Sequence, residues 1–579
     1  MKNLLLKNPF VLFQGYNVYR KIPDIVNLIL SIDNKTTFNI GCKGEEKEIF
    51  ENYYTHILNK NKTNFMVIEE KNIIKLMLKK NSKLPSVIII NNLEENSVNN
   101  YIIMNLWLHI FENRDHAPLL LLFSNSDSII DTPFKFNKDN TYCDKNRKCK
   151  NIIYHEKNIF HKNYDDIIKN LSQTITYYHA KFKMVLRGEK KSTWLVFLSS
   201  KKECNKLYYT VKKTIGDAEI IMINNDTEKN IINNINVGVE NVRKIIITCV
   251  YKLNFENVDA VFDSMLGCNT CENSSGNKYN IIEYITKEES SIRTNYINNL
   301  HDKTFCLRIY KEKFFNNLYM YKVPELIKFS FLSDYLMLKK NKEINITKFY
   351  PPLDEKKITN IDNFLINLNL LNKSSNITKK AIMVLDIATL NVKNSLIIIL
   401  WKEKNLPLFP GIILACIVEY FSYNYTYEFV NSKLEFLLEM CKNYYKEIKT
   451  LDTEKKVFKD YCNMNNISFQ HFKNLLNLIK ETCTGLYNYC DFELGLYDVE
   501  NVIKKGLPLI SRIYYNDIVD LESNNLKNFN YIDILGNSNI LDNKFENKFF
   551  DFPQTAIVID KKKCNKINQF IIKNMITIN

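Results

Sequence analysis

Apolar residues fall in two rhythms along this chain, and the switch between them lays out its elements. Residues 22–30, IPDIVNLIL, carry helical spacing and lead into a short strand pattern, TTFNI, at 36–40. NFMVIEEKNIIKLML (64–78) reads as strand then helix, VIII (87–90) as a buried strand, 99–112 as a helix and PLLLLFSNSD (118–127) as a strand. Residues 132–160 are polar and carry no clear element; helical spacing resumes at 164–186. WLVFLSSKKECNKLYYTVKK (194–213) is a strand, a Ser-Ser turn and an amphipathic helix. RKIIITCVYKLNFENVDAVFDSM (243–265) then supplies two apolar, β-branched strands around a polar loop, and 286–310 a polar helix before a strand. Strands this continuous are what a parallel sheet covered on both faces requires, and loops at their carboxyl ends are where such sheets bind ligands.

Beyond Pro324 the rhythm is helical: 324–340, 355–371, an apolar pair across 377–422 broken at Pro407 and Pro410, then 431–450 and 467–483. From about 506 short apolar segments return between Asn-rich loops, the spacing of a small β-barrel.

Composition changes this picture only in part. With 45% hydrophobic and 25% charged residues over 579 positions, the chain is globular and multidomain. Its net charge of +15 suits a polyanionic partner or, equally, a solubilising Lys-rich surface. Fourteen scattered cysteines read as reduced thiols of an intracellular protein. The N-terminal MKNLLLKNPFVLF, interrupted by Lys7 and Pro9, makes a poor leader, and no apolar stretch is long enough to span a bilayer, so a soluble protein without membrane contact is expected. Cys268 and Cys271 form a lone CxxC in a Gly/Asn/Ser-rich loop (266–278), without the second pair a structural zinc needs.

Candidate chemistry starts at GCKGEEKE, 41–48. Gly41, Gly44 and Lys47 keep the outer spacing of a phosphate-binding loop, but Glu46 replaces its second glycine and Glu48 its hydroxyl, so a Lys/Glu-rich turn is the better reading. After the strand at 87–90, where a nucleotide hydrolase carries Mg²⁺-binding and water-activating carboxylates, stand Asn91 and Asn92. An amide can do neither job. Glu94 and Glu95 follow, offset, as the acidic first turn of a helix.

Two α/β halves, a helical region and a small barrel, in that order, resemble the DEAH/RHA-type superfamily 2 RNA helicases over nearly the whole chain. WLVFLSS resembles the strand into motif IV, and 243–265 resembles motif V, with Arg243, Lys244, Thr248 and Asp263 at matching positions and Lys252 where an acid is expected. LRIY (307–310) followed by VPELIKFSFLSDYLMLKK resembles the strand after motif VI and the Pro-Glu helix. Residues 348–381 resemble the winged helix, 406–421 the ratchet, and LGNSNILD with FPQTAIVID the last OB-fold strands. The motor motifs depart: GCKGEEKE stands at Walker A, IIINNLEENS at DEAH, SNS (124–126) at Ser-Ala-Thr, and motif VI keeps only Arg293.

The resemblance implies two RecA-like parallel-sheet domains (1–160 and 161–322), a winged helix (323–390), a ratchet-like helical domain (391–500) and an OB-like barrel (501–579). It implies a degenerate nucleotide site at Gly41, Gly44, Lys47 and Arg293, and single-stranded RNA contacts at Ser199, Arg243, Lys244 and Thr248. With the motor residues replaced, the expectation is a non-catalytic RNA-binding or scaffolding factor without a cofactor, open to a protein partner at the OB-like domain. Two alternatives stand beside it. One is an active helicase using ATP, Mg²⁺, Lys47 and Glu94 or Glu95; the other is an interaction scaffold that binds no RNA.

Overall fold

The computed structural model describes residues 2–15, 18–42, 47, 65–79, 82–91, 93–114, 116–125, 132–143, 151–155, 164–182, 192–224, 227, 231, 234–236, 242–249, 255–272, 278–297, 304–328, 330–387, 389–423, 441, 469–486 and 498. The chain divides into two compact units, the first holding 1–269, 282–328 and 344–353, the second the rest.

The first unit contains two six-stranded sheets in which neighbouring strands run parallel. The first is built from α1 (Lys2–Lys7), β1 (Phe10–Gln14), α2 (Ile22–Ile32), β2 (Phe38–Cys42), β3 (Phe65–Glu69), α3 (Glu70–Leu78), β4 (Val87–Ile90), α4 (Val98–Asn113), β5 (Leu119–Ser124) and β6 (Thr141–Cys143). Its strand order is β3-β2-β4-β5-β1-β6. Ile22, Ile25, Val26 and Ile29 of α2 pack on Val11, Phe13, Ile40, Ile89, Leu121 and Phe123, alternate residues of four strands. On the other face α3 packs on β2 and β3 and against α4.

The second sheet comprises β7 (Ile152–Tyr154), α5 (Tyr164–Phe182), β8 (Ser192–Phe197), α6 (Lys201–Thr214), β9 (Ala218–Ile223), β10 (Arg243–Thr248), β11 (Val258–Asp263), α7 (Lys287–Thr294) and β14 (Phe305–Arg308), in the order β7-β14-β11-β8-β10-β9. Trp194, Phe262 and Phe305 face α5 and α6, while Phe197, Ile246 and Val261 pack against Phe255 and Tyr296.

Two expectations change here. The polar stretch 132–160 contains β6 and β7, an edge strand for each sheet, so residues 152–154 belong with the second sheet although 160 is the expected boundary. Edge strands of three residues, half in solvent, leave no apolar run to read. The expected loop at 266–278 instead holds β12 (Leu266–Glu272), which pairs with β13 (Lys278–Tyr284).

After α8 (Glu312–Asn317) and α9 (Glu325–Lys328) of the first unit, the described part of the second unit is helical from 329 on: α10 (Leu332–Lys340), α11 (Glu355–Asn367), α12 (Lys379–Asp386), α13 (Val392–Glu403), α14 (Leu408–Tyr423) and α15 (Phe469–Leu486). Pro410 sits in the first turn of α14, where a missing N–H breaks nothing. Gly411 lets α13 approach closely; a Cβ there would lie 2.6 Å from Trp401 Cγ. Apart from Cys441, the expected helix at 431–450 falls outside the described residues, as does the barrel beyond 501. Among those described, no helix is long and apolar enough to cross a membrane.

Candidate functional site

Strand order locates the first crevice. The connection from β1 runs to β2, past β5 and β4, while the connection from neighbouring β5 runs the opposite way to β6. Open α/β sheets bind ligands where adjacent connections diverge, at the strands' carboxyl ends. Here that is between β1 and β5, at Gly15 and Asn125; Asn91 follows the next strand over, β4.

Gly15 takes φ 137°, a conformation that excludes side chains, and its N–H donates to Ser124 O at 3.1 Å. A 3-10 turn, Val18–Lys21, opened by Val18 N–H donating to Gly15 O at 3.2 Å, runs directly into α2, so Lys21 lies six residues after Gly15 in continuous helical backbone. The Lys21 Nζ donates to the Tyr142 hydroxyl at 3.0 Å, with the ring centroid 5.0 Å away. The spacing Gly-x₅-Lys between a strand and a helix is that of a phosphate-binding loop, with Arg20 and Ile22 at the second glycine and hydroxyl positions and a 3-10 turn over Val18–Lys21.

Asn91 continues the alternation that points Val87 and Ile89 under α2. It is only 3% exposed, and neither carboxamide atom has a hydrogen-bond partner. Glu94 is bound by Asn125, whose N–H donates to Oε2 at 3.2 Å and whose Nδ2 donates to Oε1 at 2.9 Å. Burial pushes the Glu94 carboxyl up to about 7 against these two hydrogen bonds. The loop is tied down beyond it: Asn96, at φ 53°, donates from Nδ2 to Lys322 O at 2.9 Å and accepts from Glu325 N–H at 2.9 Å.

At the carboxyl edge of the second sheet, Asp263 pairs with Arg293 at 2.6 Å, with side chains 0% and 1% exposed. Ser290 and Tyr310 hydroxyls donate to Asp263 Oδ2 at 2.8 and 2.9 Å, and Met265 N–H to Oδ1 at 2.9 Å. Burial raises the Asp263 pKa, but Arg293 and these donors outweigh it and hold the carboxyl below the usual carboxylate range.

The solved structures supply the comparison. The Escherichia coli DEAH/RHA helicase HrpB matches with a TM-score of 0.67 at 12% identity, covering 89% of this chain and 62% of that one. A second structure, of the E. coli DExH-box NTPase HrpB, matches at 0.64 and 13%, covering 89% and 60%. This chain has a DEAH/RHA helicase-like fold. It spans about three fifths of those proteins' length. No family model and no curated protein matches the sequence.

Within this helicase-like fold the expected site residues do not converge. Gly41 lies inside β2, where a Cβ would meet Ile73 Cδ1 at 3.0 Å; glycine serves helix-on-sheet packing there. Gly44 lies outside the described residues, and Lys47 follows β2, two strands away from the exit of β5 and three from that of β1. Arg293 is sealed against Asp263. The four expected RNA contacts are all buried and engaged within the second sheet's own structure. Ser199 donates from N–H to Glu203 Oε2 at 2.7 Å, beside the capping box with which Ser200 opens α6. Arg243 stacks on Trp194 at 3.9 Å and donates from Nη1 to His179 Nδ1 at 2.7 Å and from Nη2 to the last carbonyl of α5, Phe182 O, at 3.4 Å. Because arginine only donates, His179 accepts at Nδ1 and presents Nε2–H to Asp217, 2.9 Å away. Lys244 donates to Ile235 O at 2.7 Å, and Thr248 is fully buried.

Gly15 and Lys21 escape the sequence pattern because the loop's most recognisable markers are replaced and its strand falls in an N-terminal apolar run. The residual signal is Gly-x₅-Lys between an apolar pentad and an amphipathic helix. ATP suits the strand-end glycine and the lysine six residues on. Mg²⁺ does not fit: Ile22 offers no oxygen, Asn91 no charge, and both Glu94 oxygens accept from Asn125.

Proposed function

We propose that this chain is a helicase-like protein whose motor no longer hydrolyses nucleotide and which serves as an RNA-binding or scaffolding factor. The observation that carries this is Asn91. At the carboxyl end of β4 hydrolysis requires a carboxylate to hold the metal, and a buried neutral carboxamide stands there instead. Arg293, held in its ion pair with Asp263, is not free to stabilise a transferred phosphoryl group. The reading extends to the finer plan of a winged-helix-like segment at 323–390, a ratchet-like one at 391–500 and an OB-like one at 501–579 that could receive a protein partner.

RNA would be held without sequence preference, through phosphate contacts by the excess of 15 positive charges. The internal commitments of Ser199, Arg243, Lys244 and Thr248 favour a second reading, a protein scaffold that binds no RNA. ATP turnover by the purified full chain, with and without single-stranded RNA, tests the main proposal: none above background is expected. Turnover that disappears in Lys21→Ala would overturn it. Single-stranded RNA titrated at low salt separates the two readings, since phosphate-driven affinity falls steeply as salt is raised and a scaffold binds at no salt concentration.

A further inference from the structure

Two cysteines far apart in sequence meet at the carboxyl edge of the second sheet. Cys204 stands near the start of α6, its N–H donating to Ser200 O at 3.0 Å, and Cys249 directly follows β10. β8 and β10 are neighbours, and Leu198 N–H donates to Thr248 O at 2.9 Å, so the backbone holds the two segments side by side where they leave the sheet. Both side chains pack in one apolar cluster with Val196, Leu207 and Ile247, and there the Cys204 thiol donates to the Cys249 sulfur. Their access differs. Cys204 is fully buried, while Cys249 is half-buried and open to solvent in part. Their acidity differs in the same sense: the Cys249 sulfur, and then burial, hold the Cys204 thiol well above the usual thiol range. Cys249 is therefore both the sulfur that ionises first and the one that a reagent can reach.

We propose that Cys204 and Cys249 form a site of reversible oxidation, closing to a disulfide when the protein meets a low-molecular-weight disulfide. Cys249 loses its proton, and its thiolate attacks one sulfur of the reagent to give a mixed disulfide; the departing thiolate takes up that proton. Capping Cys249 removes the acceptor that held the Cys204 proton in place. Cys204 then releases its proton, and its sulfur displaces the second reagent thiolate from Cys249, which takes the proton away. Two protein thiols are oxidised to one disulfide, and one reagent disulfide is reduced to two thiols. The bond fastens α6 to the end of β10. In a reducing compartment such a bond lasts only while the oxidant does, which is the behaviour of a sensor and not of a structural crosslink.

The test treats the folded full chain with glutathione disulfide, blocks the remaining thiols by alkylation and maps the cysteines by mass spectrometry after proteolysis. A peptide pair joined through Cys204 and Cys249 is expected, and dithiothreitol should abolish it. Cys143, exposed on edge strand β6, reports that the reagent has reached the protein. Cys204→Ala should stop at the mixed disulfide on Cys249, whereas Cys249→Ser should leave Cys204 reduced; this asymmetry is what an ordered exchange requires. Wild-type protein that carries glutathione on Cys249 while Cys204 stays free overturns the proposal. So does a Cys249 left unmodified when Cys143 is modified, or a crosslink that forms only in urea. These outcomes are read on the wild-type chain, so they decide even where a variant fails to fold.

Discussion

At the carboxyl edge of the first sheet, Asn91 is buried with both carboxamide atoms unpaired; at the same edge of the second, Asp263 is buried with Arg293, Ser290, Tyr310 and Met265 all bonded to it. Both sheets are six-stranded and parallel, so the backbone gives each a comparable row of strand ends. The difference lies in what fills the row. In the second sheet the protein supplies both charges of an ion pair and three further donors to the carboxylate. In the first it leaves a buried carboxamide with neither its donor nor its acceptor paired. A parallel sheet provides the place for a ligand; the side chains at its edge decide whether the place is taken.

The largest effect expected on this contrast comes from Arg293→Ala. Removing one partner of a buried pair strands the other, and denaturant unfolding should show a loss of about 3–5 kcal/mol. Asn91→Leu, at the matching edge, should be neutral or stabilising, since it removes groups that are already unpaired. A loss under about 1 kcal/mol for Arg293→Ala, the value of an exposed pair, would mean that the second edge is open after all.

A smaller effect is expected for Arg243→Met, which takes the guanidinium from His179 and the end of α5. Unfolding should show a loss of about 1–3 kcal/mol, while the salt dependence of RNA binding stays unchanged. A fall in the salt slope of about one would return Arg243 to the RNA surface.

The remaining effects are in pH, and they have opposite signs on the two sheets. Asp263 is depressed in the fold, so its contribution is present above the ordinary carboxylate pKa and is lost as pH falls through the lower folded value. Glu94 is raised from 4.5 to about 7, so between those values the folded state holds a proton that the unfolded state has released, and stability declines as pH rises. Unfolding free energy measured across this range should flatten between 4.5 and 7 in Glu94→Gln, with the acid limb unchanged. An unchanged slope would place the Glu94 carboxyl in water.

The strands and helices were largely legible because burial on both faces writes unbroken apolar runs, as in VIII before Asn91 and RKIIIT before Cys249. The end of β4 was legible for the same reason: the run stops, and the amides that replace the expected acids stand next. Short edge strands such as Ile152–Tyr154 were not, because half of their surface faces solvent. Gly41 and Gly15 mark the limit for the site. Both glycines precede a lysine six positions on, and local pattern alone favours the richer spacing at 41–47. Only the pairing of Phe10–Gln14 with Leu120–Ser124 shows which of them lies at the divergence of the connections.

By itself, then, the sequence determined the elements, the parallel sheets, the helical character after Pro324 and the replacement of acids by amides, all properties written within a dozen consecutive residues. The tertiary structure alone decided which strands are neighbours, and with that which glycine lies where the connections diverge. It also decided that Arg243, Lys244 and Arg293 face inward, since a cation is buried only where distant chain segments bring it acceptors: His179 and Phe182, Ile235, and Asp263.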